Sequence, residues 1–258
     1  ALPIWAERRK VREHTDKPFS VNVLPMSNGV DVFTPPMLKV IFEEKVPVVT
    51  YVGDVKKELF DEIKSHGIKI VYRSLNPSPA KAALAEECGA DIVVATGFDE
   101  GGTLPNMTLG TFLIVPLIVD VVKSVPVMAA GGIYDRRSFN AALALGAEGV
   151  YCGTAFLMSE ESHMAANVKE AVLQANANDL LLFRTIPAYY RAQRQDPRAG
   201  NGGEFHMDVA VVRVGVVAFE NGGYHNHSSV VSSTAVKPYF SANRSNISSR
   251  RARSYGDS

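Results

Sequence analysis

Pro126-Val-Met-Ala-Ala-Gly-Gly-Ile133 is followed, one helical stretch later, by Cys152-Gly153-Thr154. The first segment is a short, wholly apolar run that ends in a Gly-Gly turn. The second is the end of another such run, Gly149–Gly153. If both runs are parallel strands joined by a helix, both turns fall at carboxyl ends of neighbouring strands. Backbone N–H groups there, with the Thr154 hydroxyl, can satisfy the oxygens of an anion. Glycine lets the main chain approach that anion closely. Paired turns of this kind, after strands seven and eight, form the phosphate site of many (β/α)8 barrels.

Working outward from this pair, the same alternation recurs from about residue 7 to 175. Further strands are expected at Pro18–Leu24, Pro47–Val52, Ile68–Arg73 and Asp91–Ala95. Each is nearly continuous in apolar residues rather than alternating, as a strand buried on both faces must be. Helices are expected at Lys56–Ser65, Pro79–Cys88 and Ser138–Leu145, each closed by a following glycine (Gly67, Gly89, Gly146). Strands alternating with helices imply right-handed βαβ units. Six units fit either a doubly wound open sheet or a barrel, and the glycine turns favour the barrel. If they follow strands seven and eight, the expected fold is an α/β (β/α)8 TIM barrel, N-terminally truncated, with strands 3–8 present. The chain would then open in a helix over Ala6–Thr15.

Residues 1–195 are read as this partial barrel and 196–258 as an atypical segment, disordered or artefactual. Asp196–Gly203 is rich in Gly, Pro and charge, and the last eighteen residues hold six Ser and four Arg. A basic nucleic-acid arm is the alternative for that tail. Ala1–Ile4 is also what a common adapter end would encode, and a frameshift near residue 196 would account for the tail.

The chain has 258 residues, 46% hydrophobic, with zero formal net charge, which favours neither nucleic acid nor an acidic membrane as partner. Its longest apolar stretch, Phe112–Val122, is interrupted by Pro116 and Asp120 and is too short to span a bilayer. Cys88 and Cys152 have no metal-ligand spacing, and a reduced, cytoplasmic protein is expected. None of the six histidines falls in a metal or catalytic pattern.

Two further segments carry chemistry. Ala95-Thr-Gly-Phe-Asp-Glu-Gly-Gly-Thr103 follows the fourth visible strand, at the end where barrel active sites form. Gly101-Gly102 there would let the chain pass close to a flat ring. Asp99 and Glu100 are weak acid–base candidates, since adjacent loop carboxylates are more often solvated. Asn22 interrupts the apolar run Val21–Val23, and its amide must find a partner, in a ligand or a neighbouring strand.

With Thr15-Asp-Lys-Pro-Phe-Ser-Val-Asn22, Gly97-Phe-Asp-Glu-Gly-Gly102, Val127-Met-Ala-Ala-Gly-Gly-Ile133 and Ala142-Leu-Ala-Leu-Gly-Ala-Glu-Gly-Val-Tyr-Cys-Gly-Thr-Ala-Phe156 together, the sequence resembles the nitronate monooxygenase (2-nitropropane dioxygenase) family of FMN barrels over about residues 7–195. That family includes flavin-dependent enoyl-acyl-carrier-protein reductases. The resemblance implies FMN at the barrel mouth, its phosphate on Gly131, Gly132, Gly153 and Thr154. It implies contacts from Asn22 and from Thr96, which stands where many relatives carry Gln, with Gly101 and Gly102 lining the ring side. Many relatives carry His where this chain has Thr103, so the catalytic base is not assigned.

The leading functional reading is an FMN-dependent oxidoreductase that oxidises alkyl nitronates with O2. The second is an enoyl reductase on the same barrel, with NAD(P)H as electron donor. The third is a flavin-binding remnant without catalysis. The expected partners are a small-molecule substrate and a second copy in a homodimer, with no nucleic acid and no membrane.

Overall fold

The computed structural model describes residues 11–13, 15–26, 30–162, 164–185, 188–193 and 216–218. Strands β1 (Ser20–Val23), β2 (Val48–Val52), β3 (Lys69–Arg73) and β4 (Ile92–Thr96) run parallel, each beside the one before it. A short strand β5 (Gly102–Leu104) leaves this sheet, which resumes with β6 (Val127–Ala130) and β7 (Gly149–Cys152). The order β1-β2-β3-β4-β6-β7 never reverses. A doubly wound sheet reverses at a switch point. Here every right-handed crossover advances the same way, so the helices stack on one face and the strands curl into a half-barrel. A three-residue strand β10 (Val216–Ala218) lies antiparallel on the outer edge of β7.

The helices between the strands are α1 (Thr34–Glu43), α2 (Lys57–Ser65), α3 (Pro79–Glu87), α4 (Thr111–Val119) and α5 (Arg136–Ala144). The outward faces of the strands (Val49, Tyr51, Ile70, Tyr72, Val93, Val127) pack with Ile41, Phe60, Ile63 and Ile114 of these helices in one core. The inward faces (Val48, Val71, Ile92, Val94, Met128, Ala130) form a second, smaller cluster inside the curl. Burial on both faces is why β2, β4 and β6 carry no alternation. Phe60 fills the gap between Tyr51 and Tyr72, with ring centroids 4.8 and 6.1 Å away.

All six expected strands and three expected helices form within two residues of their expected bounds, and residues 11–13 are helical; residues 6–10 and 14 of the expected first helix lie outside the described residues. Two helices escape the pattern reading. α1 starts Thr34-Pro35-Pro36, and a proline pair reads as a breaker, yet prolines in a first turn surrender N–H groups that have no intrahelical partner. α4 is apolar nearly all round with Pro116 inside, so it shows no amphipathic period. Its Phe112, Leu113 and Leu117 remain exposed.

Beyond β7 lie the short helices α6 (Thr154–Leu157) and α7 (Ala166–Gln174) and the hairpin of β8 (Leu180–Thr185) and β9 (Ala188–Gln193). β9 pairs with β5, placing Gly102 opposite Arg191 and Thr103 opposite Tyr190. Of the segment 196–258, expected to be disordered or artefactual, residues 196–215 and 219–258 lie outside the described residues.

Candidate cofactor site

The register sets which side chains face inward at the carboxyl end of the sheet. Asn22 pairs with Thr50, Thr50 with Val71, Arg73 with Val94, and Thr96 with Ala130. Side chains alternate along each strand. Asn22, Arg73 and Thr96 therefore share the inner face with Val71, Val94 and Ala130. Thr96 is 1% exposed. Among the described residues neither its hydroxyl nor the Asn22 Oδ1 has a hydrogen-bond partner, although both atoms are buried. Deeper in the curl, the Ser20 and Thr50 hydroxyls satisfy each other at 2.9 Å.

The loop after β4 is anchored by Thr111, the first residue of α4. The Thr111 backbone N–H donates to Asp99 Oδ2 at 2.6 Å, and its hydroxyl donates to the carbonyls of Ala130 (3.2 Å) and Gly131 (2.9 Å). One residue thus joins the loop at 97–103 to the Gly-Gly turn. Both glycines beside it are required by packing. A Cβ on Gly97 would lie 2.2 Å from the Thr111 nitrogen. Gly131 has φ +103°, and a Cβ there would meet Thr111 Oγ1 at 2.8 Å and the Gly97 carbonyl at 2.9 Å. Gly132 (φ +67°) turns the chain away beneath Asp99. Gly153 differs: nothing lies within 4 Å of where its Cβ would be. Both turns lie at the same end of adjacent strands, and a Cβ on Gly101 would reach to 3.8 Å from Thr154 Oγ1. The loops after β4, β6 and β7 converge at one place.

Neither acidic candidate is an idle loop carboxylate. Asp99, exposed, serves the amino end of α4. Glu100 forms a part-buried ion pair with Arg73, which is 5% exposed. Thr103 is half-buried within β5. Tyr134 is exposed. Burial pushes the Tyr72 hydroxyl up to about 12 and raises the Cys152 thiol, and both side chains belong to the helix-facing core.

Arg73, Thr111 and Arg191 were missed by the reading of motifs. Arg73 had a signal: a charge ending the run Ile70-Val-Tyr-Arg73, in a strand expected to be buried on both faces. Thr111 and Arg191 had none. Arg191 Nη1 donates to the carbonyls of Phe98 (2.7 Å) and Glu100 (2.5 Å), and its guanidinium lies 5.2 Å from the Phe98 ring centroid. These contacts span more than ninety positions of sequence.

A half-barrel with inward polar groups at the carboxyl ends of its strands, and glycine turns gathered there, is the active-end architecture of phosphate-binding α/β barrels. The chain belongs to the nitronate monooxygenase family, which residues 4–197 match. Members of that family are flavin-dependent oxidoreductases, FabK-like enoyl-acyl-carrier-protein reductases among them. The chain is 35% identical over 181 residues to the (3aS,4S,5R,7aS)-5-hydroxy-7a-methyl-1-oxo-octahydro-1H-indene-4-carboxyl-CoA dehydrogenase of Rhodococcus jostii, covering 69% of this chain and 48% of that protein. It is 34% identical to a probable nitronate monooxygenase of Staphylococcus aureus, over 57% of this chain and 43% of the relative. Among solved structures, FabK from Thermotoga maritima superposes with TM-score 0.65 at 36% identity, over 72% of this chain and 57% of FabK. The nitroalkane oxidase of Streptomyces ansochromogenes shares the fold at 24% identity and TM-score 0.64, over 74% of this chain and 66% of that one. The chain spans about half the length of the curated relatives it matches. Among the described residues no helix is long and apolar enough to cross a membrane.

The residues present fit a flavin mononucleotide. Two buried polar atoms, Asn22 Oδ1 and Thr96 Oγ1, have no partner within the described protein, and a buried acceptor or hydroxyl left so costs about 1–3 kcal/mol. The space beside Gly153 is clear for a phosphate.

Proposed function

We propose that this chain carries strands three to eight of an eight-stranded FMN barrel and acts as a nitronate monooxygenase, oxidising alkyl nitronates with O2. The observation that carries this reading is the convergence of Gly101, Gly132, Gly153 and Thr154 at the carboxyl end of the sheet, in a chain of this family. Gly131, Gly132, Gly153 and Thr154 would hold the FMN phosphate. Asn22 and Thr96 would meet the flavin from inside the curl, and Gly101 and Gly102 would flank its ring. When bound, the flavin would accept the substrate's electrons.

Thr103 bears on the substrate's protonation state. Its hydroxyl ionises far above neutral pH and cannot serve as a base there. The two acidic residues of its own loop are committed, Asp99 to the start of α4 and Glu100 to Arg73. A nitronate is already deprotonated and needs no base, whereas a neutral nitroalkane does. The likeness to FabK supports a second reading, an NAD(P)H-dependent enoyl reductase. Anaerobic mixing separates the two: nitronate alone bleaches the flavin in the first case, and NAD(P)H alone in the second. Within the first reading, kcat/KM for nitronate exceeds that for the neutral nitroalkane by about a hundredfold or more, the usual worth of a general base. Thr103→His narrows the gap by supplying an imidazole. Equal rates on both forms in the Thr103 protein would refute the missing-base argument.

A further inference from the structure

Arg73 stands at the inner, carboxyl end of β3. One arm of its guanidinium is ion-paired with Glu100, while Nη1 is buried and has no acceptor among the described residues. Every guanidinium N–H is a donor that cannot be neutralised by losing its proton. A charged group with buried, unmet donors is costly, so an acceptor beyond the described residues is called for. The surrounding charges indicate which kind. Glu100 lies between two guanidiniums, its carboxylate on Arg73 and its carbonyl on Arg191. Asp99, the other acid of the loop, is exposed and engaged by the Thr111 N–H. Two guanidiniums thus bear on Glu100, one at its carboxylate and one at its carbonyl.

We propose that Arg73 Nη1 is the contact for a small planar oxyanion inside the barrel mouth, with Glu100 acting as the built-in competitor that holds the guanidinium in place. Resting on the function proposed above, this makes Arg73 the residue that receives the charged oxygens of a nitronate-like substrate. The Nη1 N–H bonds lie in the guanidinium plane and are directional, which suits the in-plane lone pairs of a planar oxyanion better than a spherical ion. Arg73 is thus a specificity residue: it favours the anionic over the neutral form of the substrate, in the same direction as the lack of a base at Thr103.

The test is isothermal titration of the flavin-loaded chain with sodium nitrate at constant ionic strength, with sodium chloride as the spherical control. Glu100→Gln removes the competitor and is expected to tighten nitrate binding about tenfold, the scale of one charge removed at contact range. Arg73→Met alone would remove the counter-charge of the Glu100 carboxylate, so it is combined with Glu100→Gln; that double variant is expected to lose the gain and bind no better than the parent. Arg73→Lys keeps the charge but loses the planar fork, and so discriminates nitrate from chloride less well. Unchanged or weaker binding in Glu100→Gln, or a double variant that matches Glu100→Gln, overturns the proposal and leaves a buried water as the partner of Nη1. Flavin absorbance in the same samples reads the parent hypothesis separately. Arg73-dependent nitrate binding by protein that retains no flavin would sustain the oxyanion contact and defeat the FMN assignment.

Discussion

Gly97→Ala is the most severe single change that the geometry identifies. An ideal Cβ at residue 97 would lie 2.2 Å from the Thr111 nitrogen, 2.2 Å from Thr111 Oγ1 and 2.5 Å from Thr111 Cα. Ordinary contact begins at 3.4 Å, so the start of α4 must retreat by about 1 Å. Two of the three contacted atoms are backbone, and no rotamer change relieves them. The retreat breaks the bond from Thr111 N–H to Asp99, now 2.6 Å, and those from the hydroxyl to Ala130 and Gly131. Overpacking costs about 1–3 kcal/mol, and each lost bond about 1 kcal/mol. The expected loss is about 4–6 kcal/mol, a large part of the roughly 5–15 kcal/mol by which domains are stable. Urea unfolding followed by far-UV circular dichroism measures it, and flavin stoichiometry in the purified variant reads the loop. Gly97→Ala/Thr111→Ala should recover only a minor part, because the nitrogen and Cα clashes remain. A loss below about 1 kcal/mol with full flavin content would refute the view that α4 and the β4 loop meet at a rigid contact.

Two further outcomes follow from local geometry. Gly153→Asp should leave unfolding unchanged, since nothing lies within 4 Å of its Cβ, but should abolish FMN retention by bringing a carboxylate toward the phosphate; full flavin content would count against the phosphate assignment. Asp91 is pushed up by burial but brought below its usual value of 3.8 by Lys64 (2.7 Å), Lys69 (2.8 Å) and the Ile70 N–H (2.8 Å). A depressed folded pKa means that its stabilisation is fully present well above pH 3.8 and is lost as the pH falls through the lower folded value. Asp91→Asn should cost about 1 kcal/mol at neutral pH after allowance for solvent screening, and should flatten the acid limb of the stability curve; an unchanged acid limb would exclude Asp91 as its source.

The parallel sheet was legible because a strand buried on both faces has no freedom of composition: Val48–Val52, Ile92–Thr96 and Val127–Ala130 are apolar or nearly so throughout. The Gly-Gly turn after β6 was legible for a related reason, since positive φ and close approach leave few alternatives there. The spacing of this turn from the one after β7, by one helical unit, also fixed both to the same end of the sheet. What the sequence could not show was why each glycine is there. Gly131 reads as a phosphate ligand in the motif, yet the structure shows that its missing side chain is demanded first by Thr111 and the Gly97 carbonyl, whereas Gly153 faces open space.

Contacts that join distant segments were decided only by the tertiary structure. Asp99 and Glu100 are neighbours that local reasoning treats alike. Folding gives one to the amino end of α4 and the other to Arg73, which lies on a different strand. Arg191 reaches the same loop because β9 pairs with β5 through main-chain hydrogen bonds, which carry almost no side-chain signature. Local sequence therefore determined the repeating units and their glycine turns, where sterics and burial act within one strand or turn. The partner of each charge was settled by the curl of the sheet, because an ion pair depends on separation in space and places no constraint on spacing along the chain.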